Sequence, residues 1–373
     1  MISIVAVETK TQLKEFVKFP FEIYKNSNYW VPPLIQDEIN SFNPKNEIFK
    51  TVDKYLFLAY KNDKVVGRIA IIINWTEVNV LKKSKVRFGW FETINDIEVT
   101  KKLLEQAHII AKKHHLEIIE GPMGFSNMDK AGMLTKGFDE VATMIGLYNP
   151  PYYVEHLTAL GFKTAAHWIE YKFNLSSINN QKFASLSEAI SKRNNVKAVA
   201  FKSTKELLPY ADEMFQVLNH AYSDLQSFVP LEQFQIDHYK EKYIKFLNPN
   251  FVCMVQNAEN KIIGFAITIP SMSAAFQKAN GKLFPFGFWH LLQSGKKNTH
   301  VEFYLIGIEP EYQNKGIPVL IFNHFYDVYK KFGIKTGETN PQLEENNKIQ
   351  QLWRNFSPVT HKERSTFSIK VQP

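Results

Sequence analysis

Residues 301–318, VEFYLIGIEPEYQNKGIP, hold the side chains best spaced for chemistry. An apolar run predicts a strand over 301–308. Glu309-Pro310 ends it, and Tyr312-Gln313-Asn314-Lys315-Gly316 leads into an amphipathic helix predicted over 318–332. The first turn of such a helix has N–H groups with no intrahelical acceptor, and the helix dipole adds to their pull on an anion. Gly316 lets backbone approach a phosphate closely, and Lys315 adds a charge. A single glycine is also the mark of an ordinary strand-to-helix turn. The Walker pattern Gly–x4–Gly–Lys–Ser/Thr and the dinucleotide pattern Gly–x–Gly–x–x–Gly are both absent.

Within the predicted strand, Glu302, Tyr304, Ile306 and Ile308 share a face at period two. A carboxylate in an apolar strand is a candidate proton acceptor, and solvation at the strand start beside His300 explains it equally well. Glu338, on a strand predicted over 334–339, is a second candidate. Cys253 lies in the apolar run FVCMV and reads as an inert core thiol. With one cysteine, a disulfide framework and a cysteine-built zinc site are excluded.

The elements that must hold these residues repeat along the chain. Both halves read strand, helix or helices, antiparallel hairpin, strand, helix, strand, helix, strand. The predicted final strands are 167–173 in the first half and 366–371 in the second. A parallel strand–helix–strand unit after an antiparallel meander implies an α+β fold with a mixed, mostly antiparallel sheet. The expected domains are 1–173 and 196–373, with a linker and short helix over 174–195. An aromatic insert, Leu283-Phe284-Pro285-Phe286-Gly287-Phe288-Trp289-His290, falls between hairpin and cradle strand. It reads as a lid over an acceptor site, as a satellite hydrophobic cluster or as a domain contact.

The cradle segment resembles the acyl-coenzyme-A-binding motif of the GNAT acyltransferase superfamily, Gln/Arg–x–x–Gly–x–Gly/Ala after a strand ending in an apolar residue, x, Pro. Here the match is Ile308-Glu309-Pro310, then Gln313-x-x-Gly316-x-Pro318. A strand over 334–339, then Asn346–Trp353 within a helix predicted over 343–355, is similar in spacing to the family's second motif, an Asn before a helix ending in Leu-Tyr. The resemblance implies tandem GNAT-like domains. It implies acetyl-CoA or another acyl-CoA as co-substrate, held by Gln313, Asn314, Lys315, Gly316, Ile317, Val319 and Asn346, with Ile306 and Ile308 along the pantetheine arm. Acyl transfer to an amine by direct attack would use Glu302 as base, with Tyr304 supplying a proton. Two departures stand out. Pro318 lacks an N–H at the last cradle position, and Trp353 replaces the tyrosine that many family members use as an acid; an indole N–H cannot do that work. The first-half cradle, Glu92-Thr93-Ile94-Asn95-Asp96-Ile97-Glu98, has three carboxylates and no glycine, so this copy reads as degenerate and unable to bind coenzyme A.

The chain has 373 residues, 45% hydrophobic and 22% charged, which is the balance of a folded multidomain protein. Its net charge of +8 comes from 45 basic residues, only five of them arginine, with no recognition-helix motif, so DNA is not an expected partner. Residues 1–173 net +2 and residues 174–373 net +6, which reads either as lysine-rich composition or as a second half that handles an anionic ligand. No apolar run is long enough to span a membrane and the first residues lack a signal-peptide pattern, so a cytoplasmic protein without a membrane partner is expected. The expected function is an N-acyltransferase acting on a small-molecule or peptide amine. The alternatives are a non-catalytic acyl-CoA-binding or interaction protein, or transfer from aminoacyl-tRNA as in the similar Fem-like peptidyltransferases.

Overall fold

A computed structural model describes all residues except 178–179, 226–227, 295–297 and 373. Part of the expected linker and of the aromatic insert's C-terminal side thus lies outside the described residues. The chain begins with β1 (Ile2–Ala6), α1 (Lys10–Ile23), β2 (Val52–Lys61), β3 (Lys64–Asn74), β4 (Lys85–Thr93), α2 (Ile97–Lys113), β5 (Ile118–Gly121), β6 (Met133–Lys136), α3 (Tyr152–Ala159) and β7 (Lys163–Asn174). It continues with α4 (Asn180–Asn194), β8 (Lys197–Val199), α5 (Ala211–Tyr222), α6 (Gln233–Lys242), β9 (Val252–Gln256) and β10 (Ile262–Pro270). The insert forms α7 (Ser273–Ala279) and α8 (Gly287–Ser294). Then come β11 (His300–Ile308), α9 (Ile317–Phe332), β12 (Thr336–Thr339), α10 (Asn347–Trp353) and β13 (Val359–Lys370).

By their contacts the residues form two compact units. One comprises 1–169, 273–292 and 361–373; the other comprises 170–272 and 293–360. In the first unit the strand order is β1-β2-β3-β4-β5-β13, and among the described residues only β4 and β5 run parallel. In the second it is β8-β9-β10-β11-β12-β7, and among the described residues only β11 and β12 run parallel. Each unit is thus a mixed, mostly antiparallel sheet flanked by helices, an α+β design.

The final strands are exchanged relative to the sequence expectation. β13, the last strand of the chain, pairs with β5, Phe367 opposite Gly121. The 170–174 end of β7 pairs with β12, Phe173 opposite Gly337. Each brings a phenylalanine to the core it joins. Phe367 packs with Phe88, Leu103 and Phe162, and Phe173 packs with Phe303, Phe322 and Trp353. A strand's alternation specifies which face is buried but not which edge it joins, so this exchange was invisible in the pattern.

The helices follow their apolar stripes. α2 buries Val99, Leu103, Ala107 and Ile110, and α9 buries Ile317, Leu320, Ile321, Phe325 and Val328. Each fully buried large side chain contributes roughly 1.5–3 kcal/mol, which outweighs the weak intrinsic propensity of β-branched and aromatic residues here. The expected linker is mostly α4, a 15-residue helix that packs along α9. The insert is two helices that belong to the first unit rather than to the unit from which it springs. Among the described residues no helix is long and apolar enough to cross a membrane.

Candidate functional site

β11 and β12 run parallel for four pairs: His300 with Thr336, Val301 with Gly337, Glu302 with Glu338 and Phe303 with Thr339. β12 then ends while β11 runs on to Ile308. The edge that opens is dressed by side chains. Asn340 donates its N–H to the Phe303 carbonyl (3.2 Å) and its Nδ2 to the Tyr304 carbonyl (2.7 Å). The Tyr222 hydroxyl donates to the Ile306 carbonyl at 3.1 Å, and Gln313 Nε2 donates to the Ile308 carbonyl at 3.1 Å. Burial pushes the Tyr222 phenol up to about 12, so it stays a donor at ordinary pH.

A β-bulge changes which residues share a face. Thr268 pairs with Phe303 and Ile267 with Leu305, leaving Tyr304 as the extra residue. One extra residue reverses the alternation beyond it. Ile306 and Ile308 therefore turn toward the side of Phe303 and pack on the core beneath α9. Glu302 lies on the opposite face. The expectation that Glu302, Tyr304, Ile306 and Ile308 share one face is overturned.

The face carrying Glu302 is polar. Glu302 lies beside Glu338 in register, and Glu338 lies opposite Lys172 of β7. His300 Nε2 is 3.0 Å from Glu338 Oε1, and its Nδ1 is 2.8 Å from Thr336 Oγ1. Glu170, two residues before Lys172, is fully buried and offers a carboxylate oxygen within 4.8 Å of one from Glu338. Sequence reasoning missed Glu170, although a carboxylate in Trp168-Ile169-Glu170-Tyr171 gave the same signal as Glu302 did.

The first unit fills the corresponding register differently. There the third parallel pair is Arg87 with Glu120. Arg87 Nε bonds Glu77 at 2.7 Å, while Lys85 Nζ bonds Glu77 at 2.9 Å and Glu120 at 2.8 Å. Two cations and two anions form one network, in which Glu77, Lys85 and Arg87 are buried. The second unit sets two carboxylates side by side at that position.

Beyond β11 the chain makes one tight turn at Pro310–Tyr312, then passes through Asn314 (φ 64°) and Gly316 (φ 82°) into α9. Loop carbonyls take the N–H groups of Gln313 (Glu309, 3.2 Å), Lys315 (Tyr312, 3.3 Å) and Val319 (Gly316, 2.9 Å). α4 braces the loop. Asn194 Nδ2 and Arg193 Nη2 donate to the Lys315 carbonyl at 3.2 and 3.4 Å. A Cβ on Gly316 would lie 2.7 Å from Ile190 Cδ1. Lys348 Nζ donates to Gln313 Oε1 at 2.8 Å, and Lys315 Nζ sits 4.6 Å from the Tyr312 ring centre. Glu309 meets His220 Nδ1 at 3.0 Å. Ile317 is buried at the helix start and Val319 is partly buried.

Two residues have structural duties. Asn346 caps α10, accepting from the Ile349 N–H at 3.3 Å. Trp353 is fully buried, donates Nε1 to Gln342 Oε1 at 2.9 Å and stacks on Phe173. Cys253 is fully buried, and burial pushes its thiol up.

At the start of α2 in the first unit, Asp96 accepts from the Glu98 N–H at 3.1 Å and pairs with Lys61 at 2.9 Å. The Lys61 hydrogen bond, joined by that of Glu98, holds its carboxyl below the usual range. Glu92 is paired with buried Arg68. The Thr93 N–H donates to the Tyr153 hydroxyl at 2.9 Å. The chain's own carboxylate thus occupies the helix start that an anion would use.

No family model matches the chain. It is 23% identical over 362 residues to Protein YghO of Escherichia coli, covering 95% of this chain and 91% of that protein. It is 22% identical over 374 residues to the bacterial ceramide synthase of Caulobacter vibrioides, covering 97% and 95%. A tandem GNAT protein from the clavulanic acid biosynthesis pathway superposes with a TM-score of 0.58 at 10% identity, covering 100% of this chain and 99% of that one. For a GCN5-related N-acetyltransferase from Sphaerobacter thermophilus the values are 0.53, 9%, 100% and 96%. With the strand orders above, these similarities give the chain a GNAT-like fold.

Proposed function

We propose that the second unit binds an acyl-coenzyme A along residues 306–319 and transfers its acyl group to an amine. One observation carries this reading: β11 outruns its parallel partner at Phe303 and feeds a positive-φ loop at the head of a 16-residue helix. A strand edge that runs on past its partner can pair with an extended amide-bearing arm through the backbone groups that Asn340, Tyr222 and Gln313 do not take, and the loop accepts its pyrophosphate. The donors for the anion are the N–H groups of Asn314, Gly316 and Ile317, since those of Gln313, Lys315 and Val319 are turned to loop carbonyls and Pro318 has none. Lys315 and Lys348 add positive charge. Gln313 fixes the loop, and Asn346 fixes the helix that carries Lys348.

In the transfer, the amine nitrogen attacks the thioester carbonyl and the carbon–sulfur bond breaks. Glu302 takes the proton from nitrogen, with Glu338 and His300 beside it to relay that proton. Tyr304, displaced by the bulge, returns a proton to the leaving thiolate. The products are an amide and free coenzyme A. The relative named ceramide synthase favours a long-chain amino alcohol as acceptor and a fatty acyl donor over acetyl. The buried Trp353 and the missing Pro318 N–H favour the rival reading, a binder without catalysis.

Titration calorimetry with acetyl-CoA and palmitoyl-CoA on the wild type and Gly316→Glu tests the site, with circular dichroism to check folding. Binding to the wild type and none to the folded variant is expected; equal binding to both refutes the assignment. Thiol release that requires added sphinganine separates transfer from mere binding.

A further inference from the structure

We propose that the insert is an anchor that docks the protein on the surface of an anionic lipid bilayer. α8 is turned inside out for a water-soluble helix. Phe288, Trp289 and Leu292 share one side of it by their spacing of three and four, and they are 52, 61 and 53% exposed. Phe284 and Phe286, just before the helix, are 78 and 71% exposed. A helix on a soluble protein faces its apolar stripe inward; here the solvent side carries the aromatics. Five large apolar side chains exposed within nine residues exceed the scattered singles that normal surfaces tolerate.

The presentation is built rather than frayed. Ser273 Oγ donates to the Ala142 carbonyl at 2.9 Å, and Gln277 Nε2 donates to the Asn28 and Trp30 carbonyls at 2.9 and 3.1 Å. The Ile35 N–H donates to the Gly281 carbonyl at 3.0 Å. At Gly281 (φ 76°) a Cβ would lie 2.5 Å from the Phe21 ring, and at Gly287 one would lie 1.9 Å from the Lys282 carbonyl oxygen. The hydrogen bonds hold α7 and the turn at Gly281 against the first unit, and the close approach of Gly287 to the Lys282 carbonyl folds the aromatic segment back on that turn.

Charge selects the occupant. Residues 271–299 contain four lysines and no Asp or Glu, and Lys278 and Lys282 are exposed. The first unit, to which the insert belongs, carries 26 basic and 20 acidic residues. Phenylalanine and tryptophan beside lysine match the boundary between acyl chains and anionic headgroups. A second copy of this positively charged patch would instead be repelled. The expectation of no membrane partner rested on the lack of a spanning segment, and surface docking needs none. This inference stands apart from the acyl-transfer reading, and its test measures binding only.

The test is co-sedimentation of the full chain with vesicles of phosphatidylcholine containing phosphatidylglycerol, against pure phosphatidylcholine. The wild type is expected to bind the anionic vesicles and to weaken with salt. Phe284→Ser/Phe286→Ser/Trp289→Ser should weaken binding by on the order of a hundredfold, with unchanged melting because these side chains are exposed. Lys278→Glu/Lys282→Glu should weaken it and flatten the salt dependence. Brominated lipid should quench wild-type tryptophan fluorescence, and quench Trp289→Phe less, without relying on the triple variant. Wild type that ignores anionic vesicles overturns the proposal. So does a folded triple variant that binds like wild type, or a vesicle-inert dimer that the triple variant dissociates.

Discussion

Gly316→Ala puts a magnitude on how the cradle is held. Gly316 and Gly333 bracket α9, and both have left-handed backbone, φ 82° and 72°. At Gly333 a Cβ would meet nothing within 4 Å, so Gly333→Ala incurs only the conformational cost, about 1 kcal/mol. At Gly316 the same cost applies, and the new methyl lies 2.7 Å from Ile190 Cδ1 and 3.3 Å from its Cγ1. Ile190 is buried on α4, so it relieves the clash by leaving its rotamer, at roughly 0.5–1.5 kcal/mol more. The expected costs are about 2 kcal/mol at Gly316 and about 1 at Gly333. Ile190→Val removes Cδ1, so Gly316→Ala in that background should fall back to about 1 kcal/mol. In scanning calorimetry of a domain of this size, about 1 kcal/mol moves the transition by roughly 2–4 °C. Equal shifts for the two glycines, or no rescue by Ile190→Val, would show that α4 does not pin the cradle.

Glu302→Gln should retain acyl-CoA binding and lower amine-dependent thiol release by about a hundred- to ten-thousand-fold; unchanged release removes Glu302 from the chemistry. Glu77→Gln leaves Lys85 and Arg87 of the first unit short of an anion, at about 3 kcal/mol, read as a lower melting temperature with acyl-CoA binding intact. Burial alone would raise the Glu77 carboxyl, but Arg87 and Lys85 together hold it below its ordinary value. Its stabilisation is therefore present above the unfolded value, about 4.3, and is lost as pH falls through the lower folded value. The wild-type melting temperature should drop in that acid range, and Glu77→Gln should drop less; parallel profiles would exclude Glu77 as the cause.

Most element types, the two-fold repeat of their order and the strand–loop–helix passage over 301–332 were legible in the sequence, because they depend on local periodicity and turn chemistry; the two helices of the insert and the strand Met133–Lys136 were not. The bulge at Tyr304 was not legible. It exists only in the pairing of β11 with β10, and it sends Ile306 and Ile308 to the face away from Glu302. Glu170 joined the polar face only because β7 crosses to β12. By sequence halves the excess is +2 and then +6, yet by folded units it is +6 and +2, because the insert and β13 belong to the first unit. Net positive charge therefore does not single out the unit that carries residues 306–319. Local patterning determined what each segment becomes and which of its faces is apolar. Which edge β7 and β13 join, and which unit holds the insert, was decided by long-range pairing and burial that no window of sequence contains.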